Sequence, residues 1–143
     1  MARISAAEAG GINVLAFLDM LAWSEGTCTI KGSDDGYNVL VGGELFQDYS
    51  RHPGKLVWLP RYRIHSTAAG RYQFLKSTWD AIVRLYGFRG RFIPEAQDLA
   101  AIKLLTECRA IQAIKAGMIE EAIALAAPIW ASLPGAGYGQ REH

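Results

Sequence analysis

Cysteine and histidine are scarce in this chain, and neither is clustered. Two cysteines, Cys28 and Cys108, are too few for a disulfide framework. They do not combine with the three histidines, His52, His65 and His143, into the close spacing of a metal site. We therefore expect free thiols, no metal and no cofactor.

Charge of one sign and long apolar runs are also lacking. The formal net charge is +1 and the basic residues are scattered, which argues against nucleic acid as a partner. The apolar run 14–23 is interrupted by Asp19 and is too short to span a bilayer. Only Arg3 precedes this run and no small-residue cleavage site follows it, unlike a signal peptide. We expect a monomer that is made in the cytoplasm and is not inserted into a membrane.

The chain does have the length and apolar content of one domain. Its 143 residues are 50% apolar, enough for one hydrophobic core, so we expect a single domain spanning residues 1–143. Apolar residues recur at three- and four-residue offsets from Gly11 to Glu25, which predicts an amphipathic helix that ends at Gly26. The following stretch, to about Trp58, has β-prone pieces such as 37–41 between glycines and predicts a small irregular sheet.

Helices are predicted again in the second half of the chain. After a connection at 60–65, Ser77 and Asp80 resemble a capping box for a helix that runs to about Tyr86. Pro94 has the position of a first-turn proline for a helix to Cys108, and shorter helices are predicted at 110–116 and 120–127. The sum is a mostly helical α+β domain whose sheet lies between the first helix and the rest, a layout that can form a cleft.

Glu25 is the residue with the most suggestive local chemistry. A carboxylate in the last turn of a helix faces the negative end of the helix dipole, which disfavours its ionised form. Trp23 and the apolar helix face are expected to desolvate it in the same direction. A protonated carboxylic acid is what the cleavage of a glycosidic bond requires. On local grounds alone, an ordinary solvated glutamate at a helix end remains the alternative.

A wider pattern resembles a known family. The segment 16–27, Ala-Phe-Leu-Asp-Met-Leu-Ala-Trp-Ser-Glu-Gly-Thr, closely resembles the opening of lambda-type phage endolysins, which are lytic transglycosylases with a lysozyme-like fold. Further similar blocks follow in order at 36–37, 41–46, 48–50, 52–53, 69–73 and 129–140. Together they span residues 16 to 140, so the resemblance implies a lysozyme-like α+β fold in which the small sheet forms one lip of a substrate cleft.

The resemblance also implies an activity and a set of site residues. The glutamate of the Ser-Glu-Gly motif is the family's catalytic acid, which makes Glu25 the expected acid here. Gln73, Gly137, Tyr138 and Tyr37 are the expected substrate-binding residues, although Gln73 could instead hold a strand end and Tyr138 could be packing. The implied reaction cleaves the bond from N-acetylmuramic acid to N-acetylglucosamine in peptidoglycan and leaves 1,6-anhydro ends.

The resemblance extends to the biological setting. It implies host cell lysis, with the enzyme acting on the periplasmic wall after a separate membrane-permeabilising protein has released it.

Two alternatives remain at this stage. A hydrolytic muramidase needs a second carboxylate, and Asp34 and Asp35 are the candidates; Asp34 lies nine residues after Glu25, as in another phage lysozyme family. That family also expects a threonine where this chain has Leu40, and Ser-Asp-Asp-Gly at 33–36 is ordinary turn chemistry. The other alternative is a non-catalytic peptidoglycan-binding or virion-structural module, against which the presence of Glu25 argues.

Overall fold

The computed structural model describes residues 1–133. In this part of the chain the helices are α1 (Ala6–Ala9), α2 (Ile12–Glu25), α3 (Lys76–Tyr86), α4 (Pro94–Glu107), α5 (Ala110–Lys115) and α6 (Ile119–Ala126), and the strands are β1 (Val57–Leu59) and β2 (Ile64–Ser66). The fold is therefore mostly helical with a small antiparallel sheet, and the predicted α+β class is confirmed.

Helix α2 is the central element of the fold. The apolar residues whose spacing predicts it are all buried: Val14, Leu15, Leu18, Leu21 and Ala22. Leu18 and Leu21 are completely inaccessible to solvent. Burial of one such leucine side chain contributes about 1.5–3 kcal/mol. The helix ends where predicted because Gly26 adopts a left-handed conformation (φ 76°), in which its N–H reaches the carbonyls of Ala22 and Trp23. Helix α2 also packs against α1 and α5.

The sheet is smaller than predicted and lies later in the chain. Within the predicted β-prone piece, Val39 and Leu40 make only isolated bridges, to Leu45 and Ala69. Regular pairing occurs instead between β1 and β2, where Leu59 is opposite Ile64. The predicted connection at 60–65 is therefore partly wrong: residues 60–63 form a connecting turn, but Ile64 and His65 belong to β2.

The predicted capping box of α3 is also wrong. The helix begins two residues earlier than a cap at Ser77 would place it, at Lys76, after Leu75 as the N-cap. The Lys76 N–H donates to the Thr67 hydroxyl (3.0 Å), so a residue nine positions upstream takes the capping role. Asp80 instead pairs with the Lys76 ammonium (2.6 Å) along the helix surface. The capping box that does form is at α1, between Ser5 and Glu8.

The remaining helices follow the predictions closely. Pro94 is in the first turn of α4, and α5 and α6 are separated at Gly117. Both cysteines are free, as expected. Within residues 1–133, no helix is both long and apolar enough to cross a bilayer.

Candidate active site

Glu25 is the last residue of α2, and its half-buried side chain faces a cleft of about 670 Å³. The cleft lies between the end of α2, the β1–β2 hairpin and the segment that follows α6. Its described lining residues are Ser24, Glu25, Val41, Gly42, Leu59, Tyr62, Ile64, Ser66, Ala68, Gln73, Leu75, Ile129, Trp130 and Ser132. Among these, Glu25 is the only one with a carboxyl group. The hairpin residues show that the small sheet does form one lip of the cleft.

The wall beside Glu25 differs from the expected one. Trp23, which was expected to shield the carboxylate, is 64% exposed and is not among the residues that line the cleft. Trp130 is 3% exposed and lines the cleft, with its indole N–H donating to the Tyr72 carbonyl (3.0 Å). The prediction for Trp23 is thus wrong. Side chains two positions apart in a helix point in different directions, and the side of α2 that carries Trp23 faces solvent.

The hydroxyl of Ser132 donates a hydrogen bond to Glu25 Oε2. The two residues are 107 positions apart in the chain. Local sequence reasoning about Glu25 therefore could not find this contact; only the resemblance block at 129–140 includes Ser132. A donor at this position favours one orientation of the carboxyl group relative to the cleft.

Gln73 also lines the cleft, and it has a structural role as well. Its side-chain amide donates to the carbonyls of Gly70 (2.9 Å) and Val39 (3.2 Å), and its own backbone is left-handed (φ 56°). The two readings of Gln73 are thus not exclusive, because both amide hydrogens hold the backbone while the residue still borders the cleft.

Two buried contacts tie the segment that carries Gln73 to α2. The Thr27 hydroxyl, just after the helix end, donates to the Arg71 carbonyl (2.6 Å). The Arg71 guanidinium, which is 1% exposed, forms an ion pair with Asp19 in α2 (2.9 Å). Both contacts hold the segment around Gln73 against α2. The positions of Glu25 and Gln73 in the cleft lining are therefore fixed relative to each other.

Tyr37, predicted to bind substrate, is in the interior and not in the cleft. It is completely buried, and its hydroxyl donates to Asp98 Oδ1 (2.7 Å). The Tyr72 hydroxyl donates to the same oxygen (2.6 Å). Burial, together with the charge of Asp98, raises the pKa of both tyrosines, so both remain protonated donors. The geometry gives Tyr37 a structural role and corrects its predicted role as a direct contact to substrate.

Asp34 and Asp35 are engaged outside the cleft. The Asp34 carboxylate accepts from the Arg3 guanidinium (2.6 Å) and the Tyr49 hydroxyl (2.7 Å), and Asp35 pairs with the N-terminal ammonium of Met1. Burial alone would raise the pKa of Asp34, but the hydrogen bonds from Arg3 and Tyr49 lower it below its ordinary value. Neither aspartate is among the residues that line the cleft with Glu25. Gly137 and Tyr138 lie outside the described residues.

An α+β fold with a small sheet on one lip of a cleft, and a glutamate at a helix end inside it, defines the lysozyme-like class. Solved structures agree with this class. The chain matches the lysozyme from bacteriophage lambda over its whole length and 89% of that chain, with a TM-score of 0.82 and 47% identity. It matches bacteriophage lambda lysozyme complexed with a chitohexasaccharide equally well, with a TM-score of 0.82 and 48% identity over the same shares.

Sequence comparisons name the family within this class. The family model described as Endolysin matches residues 15–143. The endolysin of Escherichia phage lambda is 53% identical over 130 residues, or 90% of this chain and 81% of that protein. The endolysin of Escherichia phage P2 is 47% identical over 141 residues, 92% of this chain and 85% of that protein. The chain therefore belongs to the endolysin family of peptidoglycan-degrading phage enzymes.

A third relative covers less of the chain. The probable transglycosylase SceD of Staphylococcus aureus (strain Newman) is 37% identical over 83 residues, which are 54% of this chain and 34% of that protein.

Proposed function

We propose that this endolysin is a lytic transglycosylase of bacterial peptidoglycan. It cleaves the β-1,4 bond from N-acetylmuramic acid to N-acetylglucosamine and leaves 1,6-anhydro-N-acetylmuramic acid ends, for host cell lysis. The observation that carries the proposal is that Glu25 is the one carboxyl group among the described residues of the cleft. Residues 1–143 act as one catalytic domain.

Glu25 serves first as an acid and then as a base. In the first step its carboxyl proton goes to the glycosidic oxygen, the bond from C1 to that oxygen breaks, and C1 acquires oxocarbenium character. In the second step the C6 hydroxyl of the same muramic acid forms a bond to C1 and its proton returns to the Glu25 carboxylate. Atoms and charge balance without water, so no second carboxylate is needed.

The surroundings of the two other candidate carboxylates support this choice over hydrolysis. An inverting hydrolase needs a second carboxylate about 6.5–9.5 Å from the acid, and a retaining one needs it at about 5–5.5 Å. Asp34 and Asp35 are already paired with Arg3 and the chain's amino terminus, outside the lining of the cleft. The similarity to the probable transglycosylase SceD adds weaker support.

Neighbouring residues hold the acid and the sugar chain. Ser132 holds the Glu25 carboxyl group through its hydroxyl. Gln73 borders the cleft. Its role in glycan binding is the one that the family resemblance implies, and the same resemblance implies such a role for Gly137 and Tyr138. The solved complex of lambda lysozyme with a chitohexasaccharide supports a glycan as the ligand of this cleft. The enzyme acts as a monomer on the periplasmic wall, after a separate membrane-permeabilising protein has released it there.

The products of digested peptidoglycan test the reaction type. Mass spectrometry should find anhydro ends, which lack one water relative to the products of hydrolysis. Products with reducing ends and the full water mass would instead assign a hydrolytic muramidase. No soluble product at all from a protein that binds peptidoglycan would favour the non-catalytic module.

Variants test the assignment of the acid. Glu25→Gln should keep the fold and glycan binding but lose at least about 10²–10⁴-fold in turnover, because an amide cannot donate the proton. Asp34→Asn and Asp35→Asn are the matched controls, and each should change the rate by less than about tenfold, well below that range. If either control lost as much turnover as Glu25→Gln, the result would support the two-carboxylate hydrolase instead.

A further inference from the structure

The β1–β2 hairpin presents two different faces. Leu59, Ile64 and Ser66 line the cleft. On the other face, Trp58 and His65 are a cross-strand pair whose rings are 4.8 Å apart between centroids, and both residues are exposed. The hairpin thus has the cleft on one side and solvent on the other.

The hairpin lies in a segment without any acidic residue. Between Asp48 and Asp80 the sequence contains six lysines and arginines and no aspartate or glutamate. In the hairpin turn, Arg61 and Arg63 are both exposed, and neither makes an ion pair with any residue in the part of the chain that the structure describes. Among residues 1–133, therefore, no carboxylate is paired with the two guanidinium groups of this turn.

The turn that carries these arginines has a defined conformation. The Leu59 carbonyl accepts from the N–H groups of both Tyr62 (3.1 Å) and Arg63 (2.8 Å), and Arg63 is left-handed (φ 53°). Tyr62 lines the cleft, and the Arg61 guanidinium lies 5.6 Å from the centre of its ring. The two arginines therefore flank, along the chain, an aromatic residue that lines the cleft.

We infer that this hairpin turn binds the carboxylates of the peptide stems that peptidoglycan carries on its muramic acid residues. The inference rests on the proposed function, since it requires the glycan strand to occupy the cleft. A peptide attached to a sugar in the cleft must leave across a lip, and its free carboxylates match the planar, two-pronged donors of arginine. The hairpin thereby makes peptide-bearing strands better substrates than bare ones.

The test compares two substrates and two charge-matched variants. Peptide-bearing glycan strands are compared with strands from which an amidase has removed the peptides. For wild type, Arg61→Gln/Arg63→Gln and the control Arg84→Gln/Arg89→Gln, the ratio of kcat/KM on the two substrates is measured. The control removes two exposed arginines that lie outside the hairpin, one in α3 and one shortly after it.

We expect the ratio to fall about fivefold or more in the hairpin variant and to stay at the wild-type value in the control. The fall should shrink in about 1 M salt, where the Debye length is about 3 Å. An equal loss on both substrates would leave the ratio unchanged and overturn the inference, because the arginines would then serve the glycan itself. An equal fall in the control would overturn it as well, since overall charge would be the cause.

Failure of the proposed reaction is distinguishable from failure of this inference. Reducing-end or anhydro products both report cleavage, so the ratio can be measured whichever reaction occurs. Binding of the Glu25→Gln variant to the two strands, with and without the arginine substitutions, repeats the comparison without turnover.

Discussion

Replacement of Asp98 by asparagine should destabilise this protein more than its small chemical change suggests. Asp98 in α4 is completely buried, and each of its oxygens accepts two hydrogen bonds. Oδ1 accepts from the hydroxyls of Tyr37 (2.7 Å) and Tyr72 (2.6 Å), and Oδ2 accepts from the backbone N–H groups of Arg3 (2.7 Å) and Ile4 (3.1 Å). The residue therefore joins two core tyrosines to the N-terminal segment.

An asparagine at this position can satisfy only one of the two pairs of donors. With its NH₂ group toward the tyrosines, the two hydroxyl protons lose their acceptor. With it toward the backbone, the Ile4 N–H loses its acceptor and the NH₂ group itself has none, while the Arg3 N–H keeps the Tyr37 hydroxyl (3.1 Å). At about 1–3 kcal/mol for each unsatisfied buried group, the free energy of unfolding should fall by about 2–6 kcal/mol. That is a large part of the about 5–15 kcal/mol by which a domain is stable.

Urea unfolding followed by circular dichroism measures this loss. The control is Asp80→Asn, which removes only the half-exposed ion pair with Lys76 and should cost about 0.3–0.5 kcal/mol. A loss in Asp98→Asn no larger than in this control would refute the reasoning, since the four donors would then have found other partners at little cost.

Three further predictions follow from other positions. Gly70→Ala should lower the melting temperature far more than Gly87→Ala. Both glycines are left-handed, but only at Gly70 would a Cβ clash with neighbours, the Gln97 side chain and Phe92 Cζ (2.7 Å). Burial lowers the pKa of His52, so the unfolded chain binds that proton more tightly and stability should fall as pH drops below about 6.5. In His52→Gln this part of the pH dependence of the urea midpoint should disappear. Gln73→Ala should lower activity because the residue borders the cleft. It should also lower the melting temperature, because the side chain donates two hydrogen bonds to backbone carbonyls, each worth about 0.5–1.5 kcal/mol. An unchanged melting temperature would contradict the structural role.

Helix positions could be predicted from the sequence because their causes are local. The apolar spacing of α2, its end at Gly26 and the first-turn Pro94 of α4 all depend on residues within one or two turns of each other. The N-terminus of α3 was predicted wrongly for the opposite reason. Its capping oxygen belongs to Thr67, which approaches only because the chain folds back after β2.

The cleft could be predicted only in part. Glu25 was found from its place at a helix end and from the family resemblance, and both are readable along the chain. The residues around it were not: Ser132 reaches it from 107 positions away, and Trp130 takes the place in the wall that was expected of Trp23. Tyr37 belongs to a resembling block but is buried.

The sequence by itself thus determined the helices, the family and the acidic residue at the end of α2. Each of these depends on residue types and short spacings, which exist before the chain folds. The tertiary structure decided which side chains share the cleft with Glu25, which aspartates are already paired, and which arginines are left at its lip. Such facts depend on burial and on hydrogen-bond partners, and both are set by segments that are distant in the chain and meet only when the core forms.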